Sequence, residues 1–195
     1  MDVDALLATR IRDLRKARGL TLEQLAELSG VSRSMISLIE RRETSPTAAV
    51  LNKLADALGV PLPTLFAGEA QRAQPSPVSR RADQPLWTDP ASAYTRRHLS
   101  PAGIASPLEL VEVCFPGGET VVFDNPVRRV SIHQQLWVME GAMDVSLDDQ
   151  TWHLATGDCL ALELGERITF HNPHPQPARY VLALASNTDI SGRSA

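Results

Sequence analysis

Few side chains in this sequence have the types and spacing that chemistry needs. The five histidines, His98, His133, His153, His171 and His174, are scattered, without the short paired spacing that typifies metal sites. Two cysteines, Cys114 and Cys159, make no disulfide framework, which fits a reducing cytoplasm, and they read as buried structural thiols. No Ser/His/Asp or Cys/His grouping supplies an activated nucleophile. The clearer signal lies in "SRSMISLIERRE". At helical spacing Met35, Ile36 and Ile39 share one face, and Arg33, Ser34 and Ser37 share the other. A short polar face headed by an arginine suits hydrogen bonding to base edges in a DNA major groove.

The elements that must position these residues change character partway along the chain. Up to about residue 67 apolar residues recur at helical spacing: Leu7, Ile11, Leu14; Leu22, Leu25, Leu28; Val50, Leu51, Leu54, Leu58. From about residue 86 the apolar runs are short and strand-like, as in "LELVEVCF", "LWVMEG", "ITFHN" and "RYVLALA", with Gly, Pro, Asn and Asp between them. The intervening "GEAQRAQPSPVSRRADQP" is polar and proline-rich, a linker composition. The expected organisation is multidomain, α plus all-β: residues 1–67 helical, 68–85 linker, 86–188 a β-domain, 189–195 a tail. A length of 195 residues suffices for two small cores. No apolar run approaches the roughly 18 residues that cross a bilayer, and the acidic start, Met1-Asp2-Val3-Asp4, does not read as a secretory signal. The net charge is −4, yet residues 10–42 carry eight basic against four acidic side chains. That local patch points to a polyanion partner for the first half alone.

The punctuation of the helical half is clear. Thr21 and Gln24 form a capping box, Gly30 offers the positive φ of a sharp turn, and Ser32 caps the next helix. Ser45 and Pro46 are expected to open a fourth helix that Gly59 ends. The stretch over residues 6–67, with its "LAELSGVSRSMISLIERRE" core and the following Ser-Pro-Thr, closely resembles the Cro/repressor-like (XRE-type) helix-turn-helix domain. One departure is Leu22, where many members carry Gln. The resemblance implies five helices and binding to double-stranded DNA. The candidate DNA-binding residues are Thr21, Gln24, Ser32, Arg33, Ser34, Ser37, Arg41, Arg42 and Ser45, with Arg33, Ser34 and Ser37 toward bases and Arg41 or Arg42 toward phosphate.

The second half resembles a cupin, a small antiparallel β-barrel or jelly roll. On "GDCLALELGERITFHN" the second cupin motif finds Gly157, Gly165 and Asn172 in register, with Glu163 at the proline place and Ile168 at the metal-ligand histidine. The first motif keeps Gly141, places Gln134 at the glutamate ligand, and sets its two histidines near Val127 and Arg129. All four ligand positions are replaced. Isoleucine and valine cannot coordinate, arginine stays cationic, and a neutral amide is a poor ligand, so no metal and no cofactor are expected. Gln134, Leu136 and Val138 share the face of the lost ligand, as do Ile168 and Phe170, and the alignment brings Arg129 there. Such a pocket, mostly apolar with a guanidinium and an amide, suits a small organic anion or zwitterion, the alternative being a filled core. Both halves together resemble XRE-type regulators with a C-terminal cupin sensor. The resemblance implies a cytoplasmic homodimer that binds an operator, responds to a small-molecule effector, and has no enzyme activity. A dimerisation module without ligand and a cupin enzyme with a DNA-binding appendage are the alternatives. For an effector to act, the β-domain or the dimer interface must touch the helical domain directly.

Overall fold

The computed structural model describes residues 3–66, 76–104, 106–124, 132–164 and 167–186. Among them the helical spacing of the first half becomes four α-helices: α1 (Val3–Ala17), α2 (Leu22–Ser29), α3 (Arg33–Glu40) and α4 (Ala48–Ala57). The fifth expected helix is a short 3-10 turn, Leu62–Phe66. Helix α4 also begins later than the Ser45-Pro46 pair predicts. Thr47 is its N-cap, accepting from the Val50 amide at 3.4 Å, while the Ser45 hydroxyl donates to Asp4 Oδ2 at 2.5 Å. Leu7, Ile11, Leu25, Ile36, Ile39, Leu51, Leu54 and Leu58 fill the core with at most 1% exposure each. Beside it Arg15, in the last turn of α1, grips Glu40 at the end of α3 through two bonds of 2.7 Å, and its Nη1 donates to the Leu20 carbonyl at 2.9 Å.

Among the described residues the second half forms ten strands. They are β1 (Leu86–Thr88), β2 (Thr95–His98), β3 (Leu108–Phe115), β4 (Thr120–Asp124), β5 (Ile132–Glu140), β6 (Ala142–Leu147), β7 (Gln150–Ala155), β8 (Cys159–Glu163), β9 (Arg167–His171) and β10 (Ala178–Ser186). Antiparallel ladders join them into a six-stranded sheet, β1-β2-β3-β10-β5-β8, and a four-stranded sheet, β4-β9-β6-β7. Their inner faces meet in the two-sheet cupin arrangement, with Phe170 of β9 stacked on Tyr180 of β10 at 6.4 Å. The glycine and asparagine of the cupin motifs hold its turns. Gly141 has φ +79°, and a Cβ there would lie 3.0 Å from Ala178 Cα, so both conformation and space call for glycine. Asn172 is fully buried, donating to the carbonyls of Phe115 (3.3 Å) and Gln176 (2.8 Å) while accepting from the His174 amide (3.0 Å). The cysteines depart from expectation: both are exposed. Strand alternation sends Val113 and Leu160 inward and turns their neighbours Cys114 and Cys159 to the outer face.

The two halves meet directly. The first amide of α4, Ala48 N, donates to Asp89 Oδ1 at 2.8 Å, and Asp89 Oδ2 accepts from the amide and hydroxyl of Ser92. Asp89 is therefore a buried carboxylate at a helix N-terminus, where the helix dipole favours negative charge. Phe66 stacks on His98 at 4.6 Å and meets Trp87 edge-on at 5.8 Å. Burial, with the Arg96 charge adding to it, pushes the His98 pKa down to about 3, so this ring is neutral at physiological pH. One hydrophobic cluster runs without a break from Leu7 of α1 to Leu184 of β10.

Candidate functional site

Helices α2 and α3 form a tight pair because three local devices agree. The Thr21 hydroxyl accepts from Gln24 N at 3.1 Å while Gln24 Oε1 accepts from Thr21 N at 2.8 Å, which completes the capping box. Gly30, at φ +66°, closes α2 with its amide on the Ala26 carbonyl. Ser32 then caps α3 by accepting from Met35 N at 3.2 Å. Met35, Ile36 and Ile39 turn toward the core, and Arg33 and Ser34 stand exposed with Ser37 half-buried beside them. Arg33 Nε rests on Glu23 Oε1 at 2.5 Å, and both side chains remain more than 60% exposed. Such a surface pair is worth at most about 1 kcal/mol, so Arg33 can leave it for a better acceptor.

The end of α3 is more unusual. Arg42 takes the left-handed conformation, φ +65°, at a helix terminus where glycine costs least, and the Glu43 amide closes on the Leu38 carbonyl at 2.9 Å. Holding a non-glycine residue there costs on the order of 1 kcal/mol. Arg41 pairs with Glu43 at 3.1 Å, and Arg42 Nη2 reaches Thr9 Oγ1 at 3.4 Å. All three side chains after α3 are exposed.

A small cavity of about 40 Å³ lies inside the barrel where the helical half meets it. Of the candidate pocket residues, Gln134, Ile168 and Phe170 line it. Leu136 and Val138 share the buried face of β5 but are packed into the core rather than against the cavity. Arg129 lies outside the described residues. Arg96 supplies a guanidinium: it is 5% exposed on the inner face of β2, lines the cavity, and its Nε has no hydrogen-bond partner. Tyr94 OH, Gln134 Nε2 and Asn52 Nδ2 are likewise buried, unpartnered and part of the lining residues. The Tyr94 hydroxyl is close enough to feel the Arg96 charge without completing a well-formed bond, and its burial pushes the phenol pKa up, so it remains a donor. Glu109 lies on the same inner face; burial raises its pKa and the Arg96 charge opposes that rise. Among the described residues no group of three or more His, Cys, Asp or Glu side chains could hold a metal ion.

Two of these residues carried sequence signals that periodicity alone left unused. In "YTRRH" Tyr94, Arg96 and His98 alternate onto one face, so an arginine shares a strand face with aromatic rings. In α4, Asn52 falls within the stripe of Ala48, Leu51 and Ala55, an amide where an apolar residue is expected.

Comparisons with known proteins agree with this arrangement. The HTH_3 helix-turn-helix family matches residues 11–65. The HTH-type transcriptional regulator SutR of Escherichia coli (strain K12) is 49% identical over 164 residues, 84% of this chain and 81% of that protein. The HTH-type transcriptional regulator PuuR of the same organism is 25% identical over 92% of this chain and 94% of its own. A crystal structure of an HTH_3 family transcriptional regulator from Vibrio cholerae superposes with a TM-score of 0.76 and 25% identity, covering 94% of this chain and 96% of that one. With α2 and α3 built as a capped helix-turn-helix and a regulator matching across both halves, this chain belongs to the XRE-type helix-turn-helix family of DNA-binding transcriptional regulators.

Proposed function

We propose that the chain binds an operator as a homodimer and that a small organic anion or zwitterion, held in the β-domain cavity, sets its affinity. In this reading residues 1–67 bind DNA, 86–188 sense and dimerise, and 68–85 connect them. One observation carries the sensing part: Arg96 is buried, lines the cavity and has an unpartnered Nε. A buried guanidinium with an unsatisfied donor is held at a cost in stability, even with the Glu109 carboxylate on the same face. A carboxylate or sulfonate entering the cavity would offset that cost through a charge-assisted contact with the guanidinium fork. Relatives named as transcriptional regulators, and Ile168 and Gln134 at the cupin metal-ligand places, support cytoplasmic regulation over catalysis.

The test is to select an operator from random-sequence DNA and measure its affinity with and without short carboxylates and sulfonates. Typical couplings between sites change affinity by roughly 5–150-fold. An affinity that none of the acids moves would leave the β half as a dimerisation module and end the sensing reading. In the same assay Arg33→Ala should cost about 1–3 kcal/mol and relax preference at particular base pairs. Unchanged selectivity in that variant would remove α3 from the groove.

The homodimer rests on the outer face of the six-stranded sheet. Leu108, Leu110, Trp137, Val181 and Ala183 lie together there by ladder register, and Trp137 is 49% exposed. These apolar side chains share the face with Glu112 and Gln135, and exposed apolar residues rimmed by polar ones mark an interaction surface. Two-fold partners would set recognition helices about 34 Å apart, one turn of DNA, and so favour a palindromic site. Trp137→Lys should yield monomers at micromolar concentration by sedimentation; an unchanged dimer would move the interface elsewhere.

A further inference from the structure

The helical half supplies part of the cavity wall. Asn52 of α4, with Leu62 and Pro63 of the 3-10 turn, lines the same space as Arg96 and Gln134 of the β-domain. Asn52 is 8% exposed and its Nδ2 has no partner, although it stands in an apolar stripe where leucine or alanine would lose nothing. A buried amide left unpaired is retained at a cost in stability, so its position calls for an acceptor.

Every unpartnered buried atom around the cavity is a donor: the Arg96 guanidinium Nε, the Asn52 and Gln134 amide nitrogens, and the Tyr94 hydroxyl. The remaining described lining residues, among them Phe115, Phe123, Ile168 and Phe170, are apolar except for Tyr180, whose buried phenol stays protonated. No carboxylate lines the cavity among the described residues, so a ligand ammonium group would be buried without an anion. Resting on the sensing reading above, we propose that the ligand is a small organic acid without a buried amine, and that its acid group bridges the two halves of the chain. The acid accepts from Arg96 of β2 and from Asn52 of α4, while the aromatic and aliphatic side chains of both sheets enclose a short apolar body.

A ligand bound in this way adds a contact that exists only when α4 sits against the barrel. It therefore has different affinities for the docked and undocked arrangements, which is the requirement for shifting a population between them. Helix α3 shares a core with α4 through Ile36, Ile39, Leu51 and Leu54, so fixing α4 also fixes the helix that carries Arg33.

The test uses the full chain with hexanoate, benzoate and butane-1-sulfonate as probes, and with hexylamine and 6-aminohexanoate as cationic and zwitterionic controls. Affinity is read by calorimetry, and protection of residues 48–66 by hydrogen exchange. At least one acid should bind, with both amine-bearing controls at least roughly tenfold weaker. Asn52→Leu should weaken acid binding by roughly tenfold or more, the loss expected for a hydrogen bond to a charged group. It should also abolish ligand-induced protection of residues 48–66 while strands β5 and β9 are still protected. Asn52→Asp, which sets a carboxylate where the acid belongs, should weaken binding at least as much. If Asn52→Leu binds the acids as the parent does and residues 48–66 remain protected, the ligand sits in the barrel alone. The bridge is then overturned while sensing stands. If none of the three acids binds the parent, the sensing reading and the bridge fall together; if 6-aminohexanoate binds as well as hexanoate, the exclusion of amines is wrong.

Discussion

Arg96→Met is expected to stabilise the ligand-free protein and at the same time remove its response to organic acids. The guanidinium is 5% exposed, its Nε is unpartnered, and Phe115, Phe170 and Tyr180 line the same cavity. Taking a cation out of water costs several kcal/mol, which the Tyr94 and Tyr180 phenols and the Glu109 carboxylate nearby return only in part. Methionine has a similar reach, fills irregular space and carries no charge. The unfolding free energy should therefore rise by about 1–3 kcal/mol, allowing for lost packing of the arginine stem. For a chain of this length that is about 2–4 °C in thermal midpoint per kcal/mol. Denaturant unfolding without added acid checks the sign. A loss of stability would mean that Arg96 holds the barrel together rather than waiting for a ligand.

The second large effect lies at the join of α1 and α3. Arg15 and Glu40 are 12% and 9% exposed, and they meet through two parallel bonds of 2.7 Å. The hydrogen bond to Glu40 pushes the Arg15 pKa further up, so the cation is permanent. Removing one partner leaves the other half-buried and unpaired: Arg15→Ala or Glu40→Ala should each cost about 1–3 kcal/mol. The double variant Arg15→Met with Glu40→Leu should recover most of that, because both charges leave together and similar volumes replace them. Denaturant midpoints of the two singles and the double complete the cycle. Additive losses in the double variant would show that the residues matter separately and that the pair is not the cause. DNA binding should fall with the single variants, since Glu40 ends the helix that presents Arg33.

Local chemistry was the most legible part of the fold. Thr21 with Gln24, Gly30 and Ser32 each act through neighbours two to four residues away, and each makes the bond its type predicts. Thr47 shows the limit of such reasoning. Ser45 was the expected cap of α4, yet Thr47 takes that role while the Ser45 hydroxyl donates to Asp4 of α1. Strand alternation brought Gln134, Ile168 and Phe170 to one cavity because period 2 survives any packing. Arg96 and Asn52 escaped notice for a different reason. Strand β2 is four residues long and lies in a polar stretch, so its inward face is defined only by pairing with β3. Asn52 has meaning only once α4 is docked on the barrel, a contact between segments far apart in the chain. Cys114 and Cys159 erred in the same direction: an apolar side-chain type suggests burial, and only register decides which face it takes.

The bond from Ala48 N to Asp89 makes the two halves poor interchangeable parts. Domain grafts are commonly spliced at the polar linker, where few contacts cross. Here a splice within residues 68–85 would carry away the whole DNA-reading surface yet leave the first amide of α4 without its carboxylate. Phe66 would also lose the rings of Trp87 and His98. A working graft of its DNA reader onto another sensor therefore has to replace the Asp89 carboxylate and the Trp87 and His98 rings that the β half supplies.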